Sequence, residues 1–138
     1  MSRRLSLLGA MALVGVLWAA LSAAALAKQR DQLKLTAPGT NTAGEAFPIH
    51  MSGFVIGPAN TLTYYLSRSS CPVAFHTAQA VGNQPGAELV NHGKRGKRFS
   101  VTIEPSETTP GVYHICAYLI SGHRTYARAT GKTDTQPL

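Results

Sequence analysis

From Leu33 to the C-terminus the chain is a succession of short β-patterned runs separated by clusters of Gly, Pro, Asn and Ser. No stretch holds a 3.6-residue apolar period over three turns, so the pattern excludes a helical domain and predicts strands. The first run is Leu33-Lys34-Leu35-Thr36, ending at Pro38-Gly39. A second, Ala46 to Phe54, puts Phe47, Ile49 and Met51 on one face and Pro48, His50 and Ser52 on the other. Pro48 cannot donate to a ladder, which predicts an edge or a bulge there. The third, Leu62 to Ser67, alternates Leu62, Tyr64 and Leu66 against Thr63, Tyr65 and Ser67.

The segment Val73 to Ala78 fits a short strand or one helical turn equally, and stays open. Glu88-Leu89-Val90 then leads to a basic loop, followed by a strand defined by Phe99, Val101 and Ile103. After the turn at Thr109-Pro110-Gly111 comes a buried strand, Gly111 to Leu119. A last strand, Thr125 to Ala129, follows the Ser121-Gly122-His123 turn and leaves a polar tail from Thr130. About seven short strands with turn signals every 8 to 12 residues or so are what a two-sheet sandwich requires. The expected fold is all-β, an immunoglobulin-like sandwich with one disulfide.

The N-terminus reads as an export signal. Arg3 and Arg4 precede an apolar stretch from Leu5 to Leu26, and Ala25-Leu26-Ala27 has the small side chains that a signal peptidase accepts, placing cleavage before Lys28. An uncleaved anchor is the competing reading, because about 20 apolar residues can span a hydrocarbon core. Ser2-Arg3-Arg4-Leu5 also resembles the start of a twin-arginine signal. The expected organisation is a signal peptide over 1–27 and one domain over 28–138, secreted or held at the cell envelope. Loss of Arg3 and Arg4 leaves 11 Lys and Arg against six Asp and Glu, so the formal charge falls from +7 to +5.

The chain has two cysteines, Cys71 and Cys116, so in an exported protein their pairing involves no choice among connectivities. Closing a loop of this length stabilises by about 4 kcal/mol in the chain-entropy view. The pair lacks the close C-x-x-C spacing of redox-active or metal-binding cysteines.

Gly111-x-Tyr113 ahead of Cys116 resembles the tyrosine-corner region of immunoglobulin domains. The spacing there is Tyr-x-Cys, whereas here it is Tyr-x-x-Cys, which turns Tyr113 and Cys116 to opposite faces. Cys71 also comes after the third strand rather than within the second, and no tryptophan remains after Trp18 to pack on the bridge. The landmarks Leu35-Thr36-Ala37-Pro38-Gly39, Gly44-Glu45-Ala46-Phe47, Ser52-Gly53-Phe54, Leu62-Thr63-Tyr64-Tyr65-Leu66, Cys71 and Pro110 to Leu119 together resemble uncharacterised bacterial secreted proteins with a single small immunoglobulin-like domain. Their shared pattern is a Gly-x-Tyr-x-x-Cys-Ala-Tyr-Leu strand near the end, and the likeness spans about residues 33 to 129. It implies the fold and the bridge, and no activity or ligand.

The sharpest surface feature is Lys94-Arg95-Gly96-Lys97-Arg98, four positive charges in five residues of an expected hairpin loop. Such a cluster can hold acidic polymers of the envelope by charge, or it can simply blunt a sheet edge. It has no interleaved aromatics to stack bases, which argues against sequence-specific nucleic-acid binding. The histidines at 50, 76, 92, 114 and 123 lack paired ligand spacing, although strands of one sheet could still bring His50 and His114 together. The glutamates Glu45, Glu88, Glu104 and Glu107 are spread singly, and no G-x-S-x-G, H-E-x-x-H or phosphate-loop motif is present. No catalytic, metal or cofactor site is therefore expected. Tyrosines 64, 65, 113, 118 and 126 fall about half on the outward faces, where tyrosine serves protein or glycan contact or covers the sheet. The sequence points to a non-catalytic binding or structural module whose partner is an acidic envelope polymer or another envelope protein. An extracytoplasmic enzyme or metal-handling protein using the histidines, and a membrane-anchored domain, are the alternatives.

Overall fold

The computed structural model describes residues 30–75, 86–90 and 96–138. The expected signal at 1–27 lies outside these residues; among them no helix is long and apolar enough to cross a membrane. Eight strands follow in order: β1 (Gln32–Thr36), β2 (Thr40–Thr42), β3 (Ile49–Val55), β4 (Thr61–Ser67), β5 (Gly86–Leu89), β6 (Lys97–Ile103), β7 (Gly111–Ser121) and β8 (Arg124–Gln136). One sheet has the order β1-β3-β6 and the other β2-β8-β7-β4-β5. All pairings are antiparallel except β2 with β8. In immunoglobulin lettering the sheets are A-B-E and A′-G-F-C-C′, the Greek-key arrangement of an immunoglobulin-like sandwich.

Alternation explains the core. Ile49, Met51 and Val55 of β3, Leu62 and Leu66 of β4, and Tyr113, Ile115, Ala117 and Leu119 of β7 are buried between the sheets. Leu33, Leu35, Phe99, Val101 and Ile103 close over them from the three-stranded sheet. Each fully buried leucine or isoleucine here contributes about 1.5–3 kcal/mol by leaving water. Two glycines make room for aromatics in this layer. Gly53 stands opposite Phe99 and Gly86 opposite Tyr64, and a Cβ at either place would collide with the facing ring.

Tyr113 forms a tyrosine corner at the entry to β7. Its hydroxyl donates to the Thr109 carbonyl at 2.8 Å and accepts from Arg68 Nη2 at 2.8 Å, while the Arg68 guanidinium lies 4.3 Å from the ring centre. The changed spacing does turn Tyr113 inward and Cys116 outward. Cys71 and Cys116 are bonded, 45 residues apart in sequence. The bridge lies on the outer face of the five-stranded sheet and ties the chain after β4 down onto β7. Beneath it Tyr65 and Tyr118 stack at 6.1 Å between centroids, and Phe75 tilts against both at 6.1 and 5.8 Å. The outer face of the sheet thus carries a second, small apolar cluster.

Three expectations change. Pro48 sits just before β3 rather than in an edge strand or a bulge, and β3 is the central strand of its sheet, so its ladder donors are intact. Val73 to Phe75 form no strand, and the rest of that open segment lies outside the described residues. The polar tail after Thr130 is a strand, since β8 runs to Gln136 with Thr133 and Thr135 each 1% exposed. Both hydroxyls donate to Asn41 Oδ1, at 2.8 and 3.1 Å. Threonine is a good strand former, and Asn41 removes the penalty of burying the hydroxyls, so a polar sequence fills an interior face.

Opening the disulfide should cost about 4 kcal/mol by the chain-entropy estimate for a 45-residue separation, read as a lower urea midpoint for Cys71→Ser/Cys116→Ser than for the oxidised protein. Tyr113→Phe keeps the ring and removes one donor to Thr109 and one acceptor for Arg68. It should lower unfolding free energy by about 1–2 kcal/mol in the same assay.

Candidate functional site

Of the four expected loop cations, Lys94 and Arg95 lie outside the described residues. Lys97 and Arg98 open β6, an edge strand, and both are exposed. The Arg98 guanidinium sits 5.7 Å from the centre of the Phe54 ring across the β3–β6 ladder. Register then defines the outer face of the three-stranded sheet as three rows: Gln32, Phe54 and Arg98; Lys34, Ser52 and Ser100; Thr36, His50 and Thr102. None of these nine positions carries a carboxylate. The His50 ring links two of the hydroxyls, with Nδ1 2.9 Å from Thr102 Oγ1 and Nε2 3.4 Å from Ser100 Oγ. The result is a cationic, hydroxyl-rich surface.

Spacing did not show this face, because its members come from three separate strands, the outer two more than 60 residues apart, and only the ladder aligns them. His50 and His114, which a shared sheet would have joined, belong to β3 and β7 in different sheets and point to opposite outer surfaces. His76 and His92 lie outside the described residues, and among those residues no group of three His, Cys, Asp or Glu is placed to hold a metal ion. Nor do the outward tyrosines make an exposed contact patch. Tyr65 and Tyr118 are 5% and 0% exposed under the disulfide-held chain, and the Tyr118 hydroxyl donates to the Pro72 carbonyl at 2.8 Å. Burial is the main reason that the Tyr118 phenol is pushed well above its ordinary value, with the Tyr65 hydroxyl adding and Arg128 opposing.

Two of the glutamates, Glu104 and Glu107, meet on the open side between β6 and β4. A cleft of about 380 Å³ there has walls of Ile49, Leu66, Ile103 and Ile115, with Glu104 and Glu107 at its edge. Tyr64 lines it too; burial, and then the nearby Glu88 charge, raise its hydroxyl above the ordinary tyrosine value. Burial raises the Glu107 carboxyl as well, offset in part by the Arg68 charge and the Tyr113 hydroxyl. Glu104 and Glu107 thus border this cleft, and neither is among the nine positions of the carboxylate-free face.

No protein-family model matches the chain, and no curated protein matches it. Among solved structures it is similar to the CARDB domain of a Pyrococcus furiosus protein, solved in complex with di-metal ions. The two share 15% identity over 79% of this chain and 96% of that one, with a TM-score of 0.48. The chain's own strand order and bridge define its class, a disulfide-bonded immunoglobulin-like β-sandwich.

Because the folded state raises the Glu107 pKa, its neutral form is the favoured one. Its contribution to stability is complete below the ordinary value of 4.5 and is lost as pH rises through the raised value. Glu107→Gln stays neutral at every pH, so the stability of the wild type relative to this variant should fall as pH rises from 4.5, measured by denaturant unfolding across pH.

Proposed function

We propose that this protein is an exported, non-catalytic binding module that holds an acidic polymer on the outer face of β1-β3-β6. The observation carrying this reading is that Lys34 and Arg98 share that face with five hydroxyl and imidazole side chains and no carboxylate, with Lys97 at its margin. Among the described residues none of these three cations has an ion-pair partner. Their charge is therefore available to a ligand. Serine, threonine and histidine between the cations supply hydrogen-bond donors and acceptors of the kind that a carboxylated glycan presents in return. The Phe54 ring under Arg98 holds that guanidinium by cation–π attraction, limiting the entropy lost on binding.

Export is supported by the bridge. A structural disulfide fits an extracytoplasmic domain, where oxidising conditions keep it closed. In this reading residues 1–27 are the signal and the exported chain begins at Lys28, so its intact mass should correspond to residues 28–138.

Exposed charge contacts are individually weak and screened by salt, so binding should be retained only when several act together and should fade at high ionic strength. The test is retention on immobilised polygalacturonate at low and high salt, for wild type and for Lys34→Ala/Arg98→Ala. Salt-sensitive retention reduced about tenfold or more in the variant is the expected result. Equal retention of both proteins, or none of either, refutes the proposal.

A further inference from the structure

The opposite surface of the sandwich carries a second cationic feature, concave where the first is a sheet face. Alternation in β8 puts Arg128, Thr130 and Lys132 on the outer face of the five-stranded sheet. The ladder sets them beside Tyr118, Cys116 and His114 respectively. His114 and Lys132 are thus direct cross-strand partners, a pairing that costs stability whenever both are charged. Ser70, next to Cys71, is held against this row by the bridge to Cys116. Ser70, Cys71, His114, Arg128, Thr130 and Lys132 line a cavity of about 380 Å³ that has no carboxylate among its lining residues.

We infer that this cavity is an oxyanion site for a phosphate group, independent of the face of β1-β3-β6. Lys132 and His114 flank it on one side and Arg128 on the other, with the Thr130 and Ser70 hydroxyls between as further donors. Arg128 is oriented in advance. Its Nη1 donates to the carbonyls of Cys71 and Pro72 at 3.2 and 3.1 Å, which leaves donors on Nε and Nη2. The disulfide therefore positions both Ser70 and, through these carbonyls, Arg128. A bound anion would also place its negative charge beside the cross-strand pair of Lys132 and His114. Among the described residues Lys132 has no ion-pair partner to compete with it. The same chemistry would hold a free phosphate ion or one phosphodiester unit of a polymer.

The experiment titrates the oxidised protein with inorganic phosphate and, separately, with poly(glycerol phosphate), following backbone amide shifts by NMR at constant ionic strength. Shifts centred on Ser70, Thr130 and Lys132 are expected with phosphate. Lys132→Ala, an exposed position, should weaken phosphate binding about tenfold. Arg98→Ala should leave it unchanged. Saturation by phosphate but not by the polymer identifies the free ion as the ligand, and saturation by both identifies the phosphodiester chain as a source. No shift at these residues with either probe, or equal affinity in wild type and Lys132→Ala, overturns the inference. Loss of binding in Arg98→Ala with none in Lys132→Ala moves the ligand to the other face and overturns it as well.

Discussion

Strand β7 is buried on both of its faces, and the rest of the domain is arranged around that fact. Inward, Tyr113, Ile115, Ala117 and Leu119 meet the three-stranded sheet. Outward, Cys116 and Tyr118 are as fully buried as the core, in a cluster with Tyr65, Cys71, Phe75 and Ile120. An antiparallel sheet of this kind ordinarily leaves one face wet. Here the bridge, with hydrogen bonds from the Tyr118 hydroxyl to the Pro72 carbonyl and from the Phe75 amide to Thr125 Oγ1, holds Cys71 to Phe75 over that face. Without the cover, Tyr65 and Tyr118 would be an exposed apolar patch. The disulfide thus acts locally by keeping an aromatic pair dry, in addition to restricting the unfolded chain.

The start of β7 is tied by specific polar contacts rather than by packing alone. The Tyr113 hydroxyl closes the β6–β7 connection through Thr109 and recruits Arg68 from the end of β4. Arg68 in turn faces Glu107, so one side chain from just after β4 and one from the β6–β7 connection converge on the corner. Charge follows from this layout. Glu104 and Glu107 border the cleft at the open side of the sandwich, whereas among the described residues the outer sheet faces carry lysine, arginine and histidine with Asp134 of β8 for contrast. In a chain of net positive charge, that separation turns a diffuse excess into two distinct surfaces.

Much of the fold was legible because it depends on alternation. Ile49 and Met51, Leu62 and Leu66, and Phe99, Val101 and Ile103 reveal their inward faces by a two-residue period, and Tyr-x-x-Cys reveals that Tyr113 and Cys116 diverge. What failed did so for identifiable reasons. The end of β8 is threonine-rich, and its interior face depends on hydrogen bonds from Thr133 and Thr135 to Asn41, more than 90 residues away. Strand β2 has three residues and gains its pairing from that same end of β8, so no local pattern could mark it. The candidate sites were harder still. The basic run drew attention to Lys97 and Arg98, whereas Lys34, His50 and Ser100 joined them only through the β1-β3-β6 ladder.

The sequence by itself determined the all-β class, the identity of the bridged cysteines, the inward residues of the principal strands and the excess of positive charge. These are encoded in local spacing and composition, which every short segment carries independently of its neighbours. Tertiary structure alone decided that the bridge lies outside the sandwich, that two outward tyrosines are buried, that Glu104 and Glu107 border one cleft, and that Arg128, Lys132 and His114 surround one cavity. Each of those facts requires strands distant in the chain to be adjacent in space. Sheet order and register set that adjacency, and the energy that selects them belongs to the whole packed core rather than to any one segment.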